Sequence, residues 1–156
     1  MDGVRGDQKK VLFVCTANIC RSPMAEAILN ALASDMGMPV EARSAGTAAL
    51  VGEPISPRAE AVLEEVGVYA NGHRARQVDA AMLEEADLVL AMTPEHAATL
   101  RRLSPDSAER VHTLVEYACG APEGIADPYG QSIAVHRASV RRILECVQRL
   151  ISRLRS

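Results

Sequence analysis

The chain has 156 residues, enough for one domain with its own core and too few for a second. Hydrophobic residues make up 48% and charged residues 24%, which excludes a disordered chain. The net charge of −3 and an aromatic content of 3% without Trp argue against a polyanion binder and a base-stacking nucleic-acid surface.

Residues 1–9 are polar and read as a disordered leader, not a signal peptide, so residues 10–156 form the domain. Val11 to Val14 is a short β-branched and apolar run, the pattern of a strand buried on both faces. Cys15 to Ser22 is a loop. A helix follows over Met24–Met36, with Ser22 as its N-cap, Pro23 at its first position and Gly37 as its stop. Val40 to Ser44 is a second strand, and Ala45 to Pro57 a long loop. Arg58–Val66 and Asp79–Ala86 are helical, and Asp87–Met92 is an internal strand. Thr93 and Pro94 open a helix reaching about Leu103, and Arg110–Thr113 is a fourth strand. Residues 119–131 form a loop holding Asp127-Pro128-Tyr129-Gly130, and Ser132 opens a long amphipathic terminal helix. Strand, loop and helix in alternation predict a single-domain α/β fold, a four-stranded parallel sheet with helices on both faces. No apolar run approaches the ~18 residues of a membrane span, so membrane insertion is not expected. Four cysteines are too few for a disulfide scaffold of this length, which points to a reducing, cytoplasmic setting.

The first loop, Cys15-Thr16-Ala17-Asn18-Ile19-Cys20-Arg21-Ser22, joins a buried strand to a helix. N–H groups of a loop entering a helix N-terminus converge on one point, with the positive end of the dipole behind them. Residues 16–22 are therefore the candidate phosphate cradle. Arg21 adds a planar fork for two phosphate oxygens. Cys15 faces the same point, in a positive field that favours its thiolate. A thiolate at the base of an oxyanion pocket is placed to attack phosphorus.

Cys-x5-Arg-Ser over 15–22, preceded by Val-Leu-Phe-Val and followed by Pro-Met-Ala-Glu, resembles the low-molecular-weight protein tyrosine phosphatase family. The resemblance extends through Ser44-Ala45-Gly46-Thr47, residues 72–77, residues 86–92 and Asp127-Pro128-Tyr129-Gly130. It implies Cys15 as nucleophile, Arg21 as phosphate binder and Asp127 as general acid and then base. An acid beside a thiolate should hold its proton, through burial or nearby negative charge. Ser22 would bond the thiolate, and Asn18, Ser44 and His73 would hold the loop in a strained shape. No metal and no cofactor are implied, because Arg21 and the loop amides supply the positive charge. A monomer is expected.

Three substrate readings follow. For a phosphotyrosine protein, Ile19, Leu50 and Tyr129 would wall a flat ring. The protein-arginine phosphatase branch resembles residues 111–117 and 127–133, but has Thr where this chain has Ile19; a hydroxyl there can accept from a guanidinium, and Ile cannot. An arsenate reductase needs resolving cysteines, and Met82 to His96 contains none. A redox or phosphate-binding module, with Cys15 and Cys20 as the switch, is the non-enzyme alternative; Cys20 is otherwise a packed thiol. Cys119 and Cys146 read only as packed thiols. Leu50 and the Ala48–Gly52 run are more similar to bacterial members paired with tyrosine kinases, which implies a bacterial source and such a kinase as partner.

Overall fold

Successive side chains of a strand point to opposite faces of its sheet, and in this chain both faces are apolar. The computed structural model describes residues 8–155. Its strands, β1 (Lys9–Cys15), β2 (Val40–Gly46), β3 (Leu88–Ala91) and β4 (Val111–Thr113), are parallel and lie in the order β2-β1-β3-β4. The helices are α1 (Arg21–Asp35), α2 (Pro57–Glu65), α3 (Ala80–Glu85), α4 (Pro94–Leu103), α5 (Leu114–Cys119) and α6 (Ile133–Arg155).

Val11 and Phe13 of β1, with Leu88 and Leu90 of β3, pack against Ile28 of α1, Leu63 of α2 and Ile143 and Leu150 of α6. The alternate residues Leu12, Val14, Val89 and Ala91 pack with Leu83 of α3 and Leu100 of α4. The sheet is thus sandwiched, and the strands read as continuous apolar runs for that reason. The chain moves outward from β1 to β2, then crosses back to β3. A crevice consequently opens between the carboxyl ends of β1 and β3, the switch point where such sheets bind ligands.

Several element ends differ from the sequence reading, and two short elements are new. Lys9 is in β1, its N–H bonded to Pro39 O at 2.8 Å, so it does not belong to a leader; residues 1–7 of that leader lie outside the described residues. Ser22 is not the N-cap of α1. Cys20 holds that place without a side-chain cap, and the Ser22 hydroxyl faces the Cys15 thiol instead. β2 continues to Gly46, because Gly46 pairs with Cys15. Helix α5 and a 3₁₀ turn over Pro105–Arg110 were not expected. Thr113 caps α5 by accepting from Glu116 N at 3.1 Å, and Gly120 ends it at a left-handed φ of 70°.

Two arginines of α6 make specific contacts. Arg137 forks onto Glu65 at 2.9 Å. Arg153 donates to Tyr117 O at 2.7 Å and lies 3.7 Å over its ring. No helix among the described residues is long and apolar enough to cross a membrane.

Candidate active site

The loop after β1 is fixed by where its carbonyls go. Cys15 O accepts from Thr47 N at 2.9 Å, Thr16 O from Ala48 N at 2.9 Å and Ala17 O from Leu50 N at 3.1 Å. Ile19 O accepts from Ser56 N at 2.8 Å and Cys20 O from Met24 N at 3.2 Å. His73 Nε2 donates to Asn18 O at 2.7 Å. Every carbonyl from residue 15 to 20 is therefore bound to the surrounding chain, and the N–H groups are left to converge on the opposite side. That is the anion cradle expected at the head of a helix. Asn18 takes the left-handed φ of 63° that this curl demands. Gly46 must be glycine, since a Cβ there would collide with the Thr16 carbonyl.

Asn18 also organises the thiol. Its Nδ2 donates to Ser22 Oγ at 2.8 Å and to Ser44 Oγ at 3.0 Å, while its Oδ1 accepts from Arg76 N at 2.9 Å. Ser44 Oγ in turn donates a hydrogen bond to Glu26 Oε1. Because Ser22 Oγ accepts from Asn18, its hydroxyl proton is free for another acceptor. Cys15 Sγ stands at 2.9 Å and Ala45 O at 3.5 Å, so sulfur is the nearer one. A hydroxyl donating to this sulfur is what an attacking thiolate requires. Cys15, Asn18, Ser22 and Ser44 are all buried. Cys20 is buried too and bonded to Ser56 Oγ at 3.1 Å; burial pushes its thiol up to about 11. It is a packed, protonated thiol here. All four cysteines are free, and Cys119 and Cys146 face each other with sulfurs 3.5 Å apart.

Arg21 links this cradle to the acid. Its side chain is only 4% exposed, and Nη2 lies 3.5 Å from Asp127 Oδ2. Nη1 donates to Ile125 O at 2.9 Å, and Nε is buried without an acceptor. The loop bearing Asp127 is anchored by Ile125, whose N–H donates to Met92 O at 2.8 Å. Asp127 is half exposed, at 50%, and faces the Arg21 cation across the crevice.

The three wall residues are unequally placed. Leu50 and Tyr129 are 46% and 59% exposed at the mouth. Ile19 is 6% exposed and packs into the larger core cluster, so it offers the cradle little surface. The sequence assigns no role to Glu26, Ser56, Arg76, Ile125 or His96, although Glu26 and Arg76 lie in stretches that carry the resemblance. His96 falls in Thr93-Pro94-Glu95-His96, the start of α4. Its Nε2 lies 2.8 Å from Thr16 Oγ1, inside the cradle. Burial, and then the Arg21 cation, lowers its proton affinity below that of an ordinary histidine. Among the described residues no three His, Cys, Asp or Glu side chains group as a metal site.

A buried thiol, an arginine and a carboxylate around an amide-lined cradle, at the switch point of a parallel sheet, define an α/β phosphohydrolase of the cysteine-nucleophile class. Residues 10–156 match the family described as low molecular weight phosphotyrosine protein phosphatase, and the chain belongs to that family. It is 35% identical to a protein-arginine-phosphatase of Bacillus subtilis (strain 168), over 93% of this chain and 96% of the relative. It is 44% identical to a low molecular weight protein-tyrosine-phosphatase of Streptomyces coelicolor, over 77% of each chain. The crystal structure of the low molecular weight protein tyrosine phosphatase from T. tengcongensis superposes with a TM-score of 0.90 at 39% identity, covering 94% of this chain and 99% of the other.

Proposed function

We propose that this protein phosphatase hydrolyses phosphotyrosine in two steps. Cys15 Sγ attacks phosphorus while Asp127 gives a proton to the leaving phenolic oxygen, leaving a phosphocysteine. The Asp127 carboxylate then takes a proton from water, which attacks the same phosphorus and frees Cys15. Arg21 and the cradle amides hold the equatorial oxygens as charge spreads over them. The observation that carries this reading is the orphaned, buried Nε of Arg21, in the same loop as a Cys15 thiol that lies 2.9 Å from Ser22 Oγ. A phosphoryl oxygen satisfies that donor.

Position 19 favours phosphotyrosine over phosphoarginine: Ile19 turns into the core and presents no hydroxyl that could accept from a guanidinium. Leu50 and Tyr129 supply apolar flanks at the mouth. A second reading, protein-arginine phosphatase, is favoured by the near full-length similarity to the Bacillus subtilis enzyme. Side-by-side hydrolysis of phosphotyrosine and phosphoarginine peptides, with Cys15→Ser as control, separates the two. Phosphotyrosine preference is expected. Preference for phosphoarginine would make the Ile19 argument wrong, and hydrolysis of neither would return the site to a redox or binding role. The proposed partner is a bacterial cytoplasmic tyrosine kinase. Its phosphorylated tail should be hydrolysed well above a generic phosphopeptide, and equal rates would sink that pairing.

A further inference from the structure

The junction between β3 and α4, residues 92–96, touches both halves of the site. Met92 N donates to Val14 O at 2.9 Å, and Met92 O accepts from Ile125 N at 2.8 Å. The acid loop comes so close here that a Cβ on Gly124 would lie 2.9 Å from Met92 O. Thr93 caps α4, its Oγ1 accepting from His96 N at 3.2 Å. The same hydroxyl meets His96 Nδ1 at 2.9 Å, so the residue that starts the helix also fixes the ring. The other ring nitrogen reaches Thr16 Oγ1 at 2.8 Å. Thr16 Oγ1 in turn lies 3.5 Å from Arg21 Nη2, the nitrogen that faces Asp127.

We propose that His96 is a positioning residue of this phosphatase. Its neutral ring holds the Thr16 hydroxyl and, through it, the Arg21 guanidinium, so that cradle and acid loop meet in one geometry. The inference rests on the phosphatase reading and adds to it a residue of the reaction that lies outside Cys-x5-Arg and Asp-Pro. His96 is 9% exposed, whereas Thr16 is exposed. A neutral imidazole has one donor and one acceptor nitrogen, and flanking hydroxyls can match either tautomer. An imidazolium has two donors and stands as a second cation against Arg21. The charged groups that bear on the ring are Arg21 from α1, Asp127 from the acid loop and Glu95 from its own helix. Arg21 and burial oppose protonation, while the two carboxylates favour it. A dianion in the cradle adds negative charge on the same side. Anion binding and proton uptake by His96 are therefore linked, each strengthening the other.

Kinetics on a phosphate monoester, with melting temperature as a control on folding, test the positioning. Thr16→Val and His96→Ala should each lower kcat about tenfold, the scale of a misplaced supporting group, and the double variant should lose no more than either. His96→Gln should restore most of kcat at neutral pH, since an amide can hold the hydroxyl, yet should delete one protonation step from the acid limb of the kcat profile. Additive losses, or an unchanged acid limb in His96→Gln, would overturn the proposal. If His96→Ala does not fold, Thr16→Val and His96→Gln decide alone. An NMR titration of the His96 ring, with and without saturating sulfate, needs no turnover. Sulfate should raise its pKa in the native protein and less in Thr16→Val; no shift refutes the linkage. A wild-type protein without phosphatase activity defeats the functional reading and leaves that titration to judge His96.

Discussion

The two loops that make the site are held in opposite ways. The cradle of residues 15–22 is pinned carbonyl by carbonyl and threaded by Asn18, with its nucleophile and arginine buried. The acid loop of residues 120–132 is pinned at Ile125, which is 3% exposed and bonded at both its N–H and its C=O. Beyond that point Asp127 is half exposed, and its own carboxylate makes the turn by accepting from Tyr129 N at 3.1 Å. Arg58 Nη1 steadies the far side by donating to Gln131 O at 3.0 Å. Charge stabilisation in a transition state depends on dipoles that do not reorganise, so the anion site is rigid. Proton delivery must follow a substrate in and out, so the acid sits on the loosely held segment.

The strongest way to break the contrast is to remove the nucleophile. Cys15→Ser should lower turnover by about four orders of magnitude or more, yet keep inorganic phosphate binding within a few-fold by calorimetry, because the amides and Arg21 remain. Asp127→Asn should lower kcat about 10²–10³-fold, with the melting temperature nearly unchanged, since this half-exposed side chain contributes little to packing. Asn18→Ala is its mirror image. It should cost about 1–3 kcal/mol of stability by denaturant unfolding, because buried hydroxyls and the Arg76 amide lose their partner. Tyr129→Ala should raise KM for an aryl phosphate about threefold to tenfold with kcat nearly kept, as expected of an apolar flank. The smallest effect is alkaline. Cys20 holds its proton to about 11 when folded, against 9.0 for a free thiol. Its contribution to stability is whole below the unfolded value and is lost as pH rises through the folded one. Unfolding midpoints measured from pH 8 to 11 should fall less steeply in Cys20→Ala.

Much of the cradle was legible because its chemistry is contiguous. Cys15, Arg21 and Ser22 lie within one strand–loop–helix unit, and local geometry alone aims them at one point. Asp127 was legible by order and by its proline. Its surroundings were not, because no local pattern says which cation lies across a crevice. The same limit hid His96, eighty positions from the threonine it touches, and the amides of residues 47–56 that turn the cradle carbonyls outward. The strands were readable as continuous apolar runs because both faces of the sheet are buried. Helix α5, over Leu114–Cys119, is too short for a 3.6-residue period to declare itself. Thr113 and Gly120 were its only signals, and both are ordinary loop residues elsewhere. Ser22 was misplaced as a cap because the same hydroxyl suits either role, and the nearby thiol took it.

The scarcity of aromatic side chains makes this molecule nearly silent as a fluorophore. It contains no Trp, one Phe and three Tyr, and Tyr117 lies under the Arg153 guanidinium. Its core of Leu, Val, Ile and Met is transparent above 290 nm. A single indole placed at position 129, whose native side chain is 59% exposed at the mouth of the site, would report without background. Tyr129→Trp thus turns the acid loop into an optical gauge of phosphate arrival, readable in stopped flow on the timescale of turnover.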